Sequence, residues 1–282
     1  MIGRRRGVEL KTADQMRQMR RAGLVVAQAH AELAEAAAPG VTTGELDQLA
    51  REVLARNGAS SSFLGYGAGF GLPPYPAVAC ISVNEEIVHG IPGERVLADG
   101  DLVSFDFGAI IGGWHGDGAV TFPAGEWTPE RRRLSDVTRD ALWAGIGAAR
   151  LGGRVSDISH AVEEFIESCD DHEFGIVEEY TGHGIGSAMH QPPDVPNYGR
   201  PGRGPKIVEG LCLAVEPMIT WGSAETATLD DEWTVVTRDS SDAAHWEHTI
   251  TVTKRGLWVL TALDGGEEAL GRLGLPFGPL AD

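Results

Sequence analysis

Five side chains in this chain are of the kinds that bind hard metal ions: Asp106, Asp117, His183, Glu216 and Glu247. In DLVSFDFGA, strand alternation points Ser104, Asp106 and Gly108 one way and Val103, Phe105 and Phe107 the other. Gly112-Gly113 reads as a hairpin turn returning HGDG on a partner strand, which places Asp117 roughly across from Asp106. Two carboxylates that close repel, and one pKa rises unless a cation binds between them. The plain alternative is a solvated strand face with two exposed acids. AVEPM sets Glu216 in an apolar strand, where a lone ionised carboxylate is costly to bury. WEHTITVT opens a strand with Glu247, Thr249 and Thr251 on one face, and His248, read as structural, on the other.

TGHGIGSAMHQPP adds His183 and His190, with glycines packed around the first. On its own this stretch allows one chemical site or two ring-shaped fillers in a glycine-rich loop. Hard oxygen ligands with one imidazole suit Mn, Fe, Co or a catalytic Zn rather than a closed thiolate zinc site. Bridging carboxylates would allow two metals about 3.5–4 Å apart, an arrangement that activates water for hydrolysis.

The elements that must position these groups follow from periodicity. Residues 14–37 carry apolar residues at helical spacing, with His30 on that face read as a surface or core residue rather than a ligand. Thr42 and Glu45 form a capping-box pattern before a second helix. SSSFLGYGAGFGLPPYP is too rich in turn residues for regular structure. Strands follow from Ala77, then a helix opened by Thr128-Pro129 and another capped by Ser156 or Asp157, then strands from about Ile176 to residue 263. The two halves repeat this order. Aligning Gly100 with Gly210 sets Asp106 over Glu216, so a single domain of two pseudo-symmetric halves sharing one sheet is expected.

Composition narrows the class. The chain has 282 residues, 42% of them apolar, and a formal charge of −18 that opposes direct nucleic-acid binding. The basic GRRR at residues 3–6 is too short to reverse this. Cys80, Cys169 and Cys212 are odd in number and widely spaced, which argues against a disulfide framework and for a reducing, cytoplasmic setting. No signal peptide or membrane span is read.

Taken in order, VNEEIVHGIPG, DLVSFDFGAIIGGWHGDGAVTF, TGHGIGSAMHQPP, LAVEPM and WEHTITVT resemble type I methionine aminopeptidases, M24-family peptidases of the pita-bread fold, over about residues 11–264. The resemblance implies an α+β fold with pseudo-two-fold halves and a central curved antiparallel sheet covered by helices. Residues 1–10 would be a short flexible extension, 11–264 the single catalytic domain and 265–282 a C-terminal tail. It implies removal of the initiator methionine from nascent chains by attack of a metal-bound water or hydroxide at a centre of two divalent ions (Co, Mn, Fe or Zn). Asp106 would be the bidentate ligand of one ion, Asp117 and Glu247 would bridge, and His183 and Glu216 would complete the other shell. Glu216 would also take the water's proton, His190 would polarise the scissile carbonyl, and His89 would contact the scissile amide nitrogen. By itself His89, a lone histidine before Gly-Ile-Pro, reads as a loop residue. Tyr75, Cys80 and Trp233 would wall a methionine pocket beside Met189, with Cys80 as lining rather than nucleophile.

Four departures from the family pattern stand out. Met189 replaces a large aromatic, Leu72 replaces a pocket tyrosine, the 63–80 loop is longer, and Gly108 replaces a hydroxyl residue, which would loosen the second metal site. The implied partners are N-terminal-Met peptides and nascent chains, with the ribosome as a further candidate and the protein a monomer. An Xaa-Pro aminopeptidase or prolidase-like enzyme of the same fold is the main alternative. Such enzymes usually carry a large N-terminal domain, whereas about 10 residues precede the first family-like helix here. A non-enzymatic pita-bread binding protein is a further alternative, and it predicts lost ligands.

Overall fold

The computed structural model describes residues 7–280, so the basic run at 3–6 lies outside the described residues. The elements in chain order are α1 (Ala13–Ala36), α2 (Thr43–Arg56), β1 (Ser60–Ser61), β2 (Ala79–Val83), β3 (Glu86–Val88), β4 (Asp101–Ile111), β5 (Trp114–Ala124), α3 (Pro129–Ala148) and α4 (Val155–Glu167). There follow β6 (Gly175–Ile176), β7 (Gly182–Gly184), β8 (Gln191–Val195), β9 (Cys212–Val215), β10 (Met218–Thr220), β11 (Thr226–Thr228), β12 (Val235–Thr237), β13 (Ala243–His245), β14 (Glu247–Thr253), β15 (Gly256–Val259) and α5 (Glu267–Arg272).

Local chemistry sets the helix starts. Thr12 and Gln15 form a capping box at α1, and Thr42 and Glu45 form the expected one at α2. Thr128 caps α3 with Pro129 in its first turn. At α4 the cap position is Arg154, two or three residues before the expected Ser156 or Asp157. Asp157 instead sits in the first turn, and its carboxylate accepts from Arg154 N at 2.8 Å. The 60–76 stretch is mostly loop, but Ser60–Ser61 pairs with β4 and a 3-10 turn spans Ala68–Phe70.

One antiparallel sheet organises the molecule, in the order β1-β4-β5-β14-β9-β7-β8, with β2 also on β4 and β15 on β14. Two three-stranded sheets, β13-β10-β6 and β11-β12-β3, flank it. α1 and α2 bury Val26, Leu33, Leu46 and Val53 against β2 and β4, around Phe105 and Phe107. On the other half, Leu142, Ile146 and Ile158 of α3 and α4 pack with Leu213, Ile250 and Val259. Each helix pair thus covers its own half of the sheet, as the internal repeat requires. His30 is a core residue: its Nε2 lies 2.9 Å from Gly118 O and its ring meets Phe105 edge-on. No helix among the described residues is long and apolar enough to cross a membrane.

Both ends of the described chain are fastened to this domain. Ahead of α1, Glu9 accepts hydrogen bonds from Ser187 N and Oγ, and the buried Lys11 ammonium donates to Glu9 O and Gln191 Oε1. Residues 265–280, set apart by the sequence as a tail, lie along β15: Leu257 N donates to Pro276 O, Gly278 N donates to Leu257 O, and Leu270 of α5 is fully buried.

Helix α1 rests on β5 through two glycines. A Cβ on Gly116 would lie 2.7 Å from Gly23 N, and one on Gly23 would collide with the Leu260 carbonyl. Gly116→Ala should therefore push α1 off the strand and cost about 1–3 kcal/mol, the usual penalty of overpacking. The check is urea denaturation, with a lowered midpoint and an unchanged slope.

Candidate active site

The register of the sheet brings the five expected metal ligands together. β4, β5, β14, β9 and β7 are neighbours in that order, and each carries or leads into one of them. Asp106 pairs with Ala119, and Ala119 pairs with Glu247 on its other side, so both acids flank one small residue and share its face. Asp117 pairs with Gly108 rather than with Asp106, so the two aspartates are diagonal neighbours on that face. His183 pairs with Ala214, and Glu216 lies two residues further along the same strand line. Period-two alternation then points all five inward from one side. Glu216 is not inside a strand as expected. It sits just past β9, before Pro217, where its carbonyl accepts from Asn197 Nδ2.

Ligand atoms of Asp117, His183 and Glu247 all lie within 4.8 Å of one another, and the three residues are buried. His183 Nε2 is 3.4 Å from Glu216 Oε1. The Asp117 backbone is clasped by Thr249, which accepts from its N–H and donates to its carbonyl. Asp106 Oδ1, Asp117 Oδ1 and Glu247 Oε1 are buried without a hydrogen-bond partner. Orphaned carboxylate oxygens are rare in folded proteins and need an explanation. A hard divalent cation supplies one, and the donor set of oxygens and one imidazole suits it.

The titrations agree. Burial pushes Asp117 up to about 7. Burial, then repulsion from neighbouring acids, holds Asp106, Glu216 and Glu247 well above the usual carboxylate range. Burial drives His183 down to about 3, which keeps its imidazole neutral, as metal ligation requires.

Beside this cluster is a cavity of about 260 Å³. Phe63, Tyr75, Cys80, Met189 and Trp233 are buried together along it, while Leu72 stands exposed at its rim. The Tyr75 hydroxyl turns away to donate to the Ala79 and Gly90 carbonyls, and its ring meets Trp233 edge-on at 5.2 Å. Burial raises the Cys80 thiol far above its usual range, which suits lining and opposes nucleophilic use. His89 also lines the cavity, edge-on to Trp233 and Tyr180. Its φ of 61° is uncommon outside glycine, and such backbone concentrates at functional sites. His190 lines the cavity with its ring 4.2 Å from that of His183.

Three residues escaped the sequence reading. Tyr66 hydrogen-bonds His190 Nδ1, Phe63 joins the pocket wall, and His245 Nε2 lies 3.7 Å from Glu216 Oε2. Only LGYG, beside the pocket loop, and the spacing HWEH offered a signal for them. At Gly108 the site holds no void. A Cβ there would come 2.6 Å from Ser62 Cβ and 3.1 Å from Asp117 Oδ1, so Ser62 fills that space and hydrogen-bonds His115 Nδ1.

The family model for metallopeptidase family M24 matches residues 17–254. This chain belongs to that family. It is 48% identical over 261 residues to methionine aminopeptidase 1 of Mycobacterium tuberculosis, covering 91% of this chain and 96% of that one. It is 45% identical over 251 residues to methionine aminopeptidase 1 of Bacillus subtilis, covering 89% and 98%. The crystal structure of methionine aminopeptidase from Thermotoga maritima superposes with a TM-score of 0.86 at 38% identity, covering 91% of this chain and all of that one. Prolidase from Pyrococcus furiosus, at 20% identity and a TM-score of 0.69, shares the fold alone. The M24 architecture is the expected α+β pita-bread fold, and family and cluster together imply divalent-metal use.

In metal-free protein, raised carboxyl pKa values mean that the folded site holds protons near neutral pH and releases them to a cation. Titrating Mn(II) into metal-free protein at pH 6.5 should release at least one proton. Calorimetry in buffers of different ionisation enthalpy reads this directly, and Glu247→Gln should reduce the release. Gly108→Thr should clash with Ser62 and cost about 1–3 kcal/mol, and adding Ser62→Gly should recover most of that loss in thermal melts.

Proposed function

We propose that this M24 enzyme is a metal-dependent aminopeptidase that removes the N-terminal methionine from peptides and nascent chains. The observation that carries the reading is the apolar pocket of Phe63, Tyr75, Cys80, Met189 and Trp233 in the same cavity as the carboxylate–imidazole cluster. A thioether chain is unbranched, apolar and polarizable, and aromatic walls suit it. The chain's similarity to methionine aminopeptidases over nearly their full length supports the same substrate.

Asp106, Asp117, His183, Glu216 and Glu247 are assigned as metal ligands. These four carboxylates and one imidazole would hold two divalent ions, with Asp117 and Glu247 shared between them, and Co, Mn, Fe and Zn would all suit the donors. Divalent metal there supplies Lewis-acid polarisation and lowers the pKa of water. The side chains do the rest. Glu216, buried beside His183 and lining the cavity, would once ionised take a proton from the attacking water and return it to the leaving amine. His190 faces the cavity from the cluster side, where it can donate to the developing oxyanion. His89, neutral because burial depresses its pKa to about 4, is placed to meet the scissile amide nitrogen. The aromatic wall excludes water from the side chain, so a branched or charged first residue is rejected.

Three free cysteines and a charge of −18 support a reducing cytoplasmic setting without direct nucleic-acid contact. Contact with the ribosome would then run through protein, with the enzyme acting as a monomer on the emerging N-terminus.

With Mn(II) bound, Met-Ala-Ser should be cleaved and Leu-Ala-Ser and Ala-Pro should not. Glu216→Ala should lower kcat by about 10²–10⁴-fold, with an unchanged circular dichroism spectrum. A preference for Ala-Pro, or full activity in Glu216→Ala, would overturn the reading.

A further inference from the structure

The Tyr66 hydroxyl lies 2.6 Å from His190 Nδ1, with ring centroids 5.2 Å apart. The two residues come from different walls of the cavity. Tyr66 belongs to the loop after β1, where its N–H donates to Phe63 O and its carbonyl accepts from Tyr75 N, both at 2.8 Å. The next residue, Gly67, has φ 91° and packs so closely on Trp233 that a Cβ there would lie 2.6 Å from the indole. The phenol is therefore held by the same wall that shapes the pocket. On its other side the His190 ring meets His183, whose imidazole lies against the Asp117 and Glu247 carboxylates.

A neutral imidazole carries one proton, and the bond made by one nitrogen decides where that proton sits. A phenol keeps its proton near neutral pH and can donate it. If Tyr66 donates to Nδ1, the His190 proton resides on Nε2. With Nδ1 taken up by the phenol, Nε2 is the ring nitrogen left to serve the cavity that His190 lines, and there it carries the proton. We infer that Tyr66 is a positioning residue that holds His190 as its Nε2–H tautomer, so that the ring offers a donor to the carbonyl oxygen of the scissile bond. This assignment rests on the aminopeptidase reading and adds to it a residue that acts through His190.

The tautomer is read by 15N NMR of histidine-labelled protein, zinc-loaded and metal-free, at pH 7.5, with His190→Asn identifying the signal. Wild-type His190 should show an unprotonated Nδ1 and a protonated Nε2, and Tyr66→Phe should move both nitrogens toward the values of a mixture. In the Mn(II) enzyme, Tyr66→Phe should lower kcat for Met-Ala-Ser about tenfold, as loss of an orienting outer partner does, with KM within about twofold. Adding Tyr66→Phe to His190→Asn should slow that variant no further, since the effect passes through His190. A wild-type Nδ1–H tautomer, or an equal Tyr66→Phe effect with and without His190, would overturn the assignment. Failure of the wild-type enzyme to cleave Met peptides would sink the aminopeptidase reading while leaving the tautomer measurement intact.

Discussion

Four carboxylates held on one face of one sheet govern this molecule. Without a cation between them, Asp106, Asp117, Glu216 and Glu247 repel one another, and burial adds to the cost. Their positions follow from strand register rather than from side-chain flexibility. A slip of one residue in any of the neighbouring strands would turn its ligand to the opposite face. Devices that pin the register therefore bear on the chemistry: the two-residue Gly112-Gly113 turn, the Thr249 clasp on the Asp117 backbone, and the small Ala119 between Asp106 and Glu247.

The remaining elements serve that face. Each helix pair buries the far side of its own half-sheet, so the concave side stays available for polar groups. The pocket loop packs its backbone on Trp233 and turns the polar edges of Tyr75 and Trp233 into backbone hydrogen bonds. Only ring faces are left toward the cavity. Apolar recognition and hydrolytic chemistry thus meet with no loop between them.

Much of this was legible in the residues. The capping box at Thr42, the hairpin at Gly112-Gly113 and the alternation around Asp106 follow from local chemistry and period-two patterning. The internal repeat foretold two half-sheets with their own helices. What local patterning could not supply was distance across the chain. The diagonal offset of Asp117 from Asp106 is not such a case, since the two-residue Gly112-Gly113 turn already pairs Asp117 with Gly108. The Tyr66–His190 bond joins residues 124 positions apart, and nothing near either one announces the other. Ser62 beside Gly108 is the same kind of case: the missing side chain is visible in the sequence, but the neighbour that fills its space is not.

Chain order and sheet order disagree most at one strand. β14 comes next to last in sequence, yet in the main sheet it lies in the middle, between β5 of the first half and β9 of the second. It is the seam that joins the halves, and it carries Glu247. A polypeptide emerging during synthesis can pair β4 with β5, and β7 with β9, long before residue 247 appears. The acids of each half then remain apart in space. Late arrival of the seam means that Glu247 joins Asp106 and Asp117 only when the two halves close on each other. The electrostatic cost of bringing Glu247 in then falls on that closure, where Ile250 and Val252 of the same strand bring apolar burial to offset it.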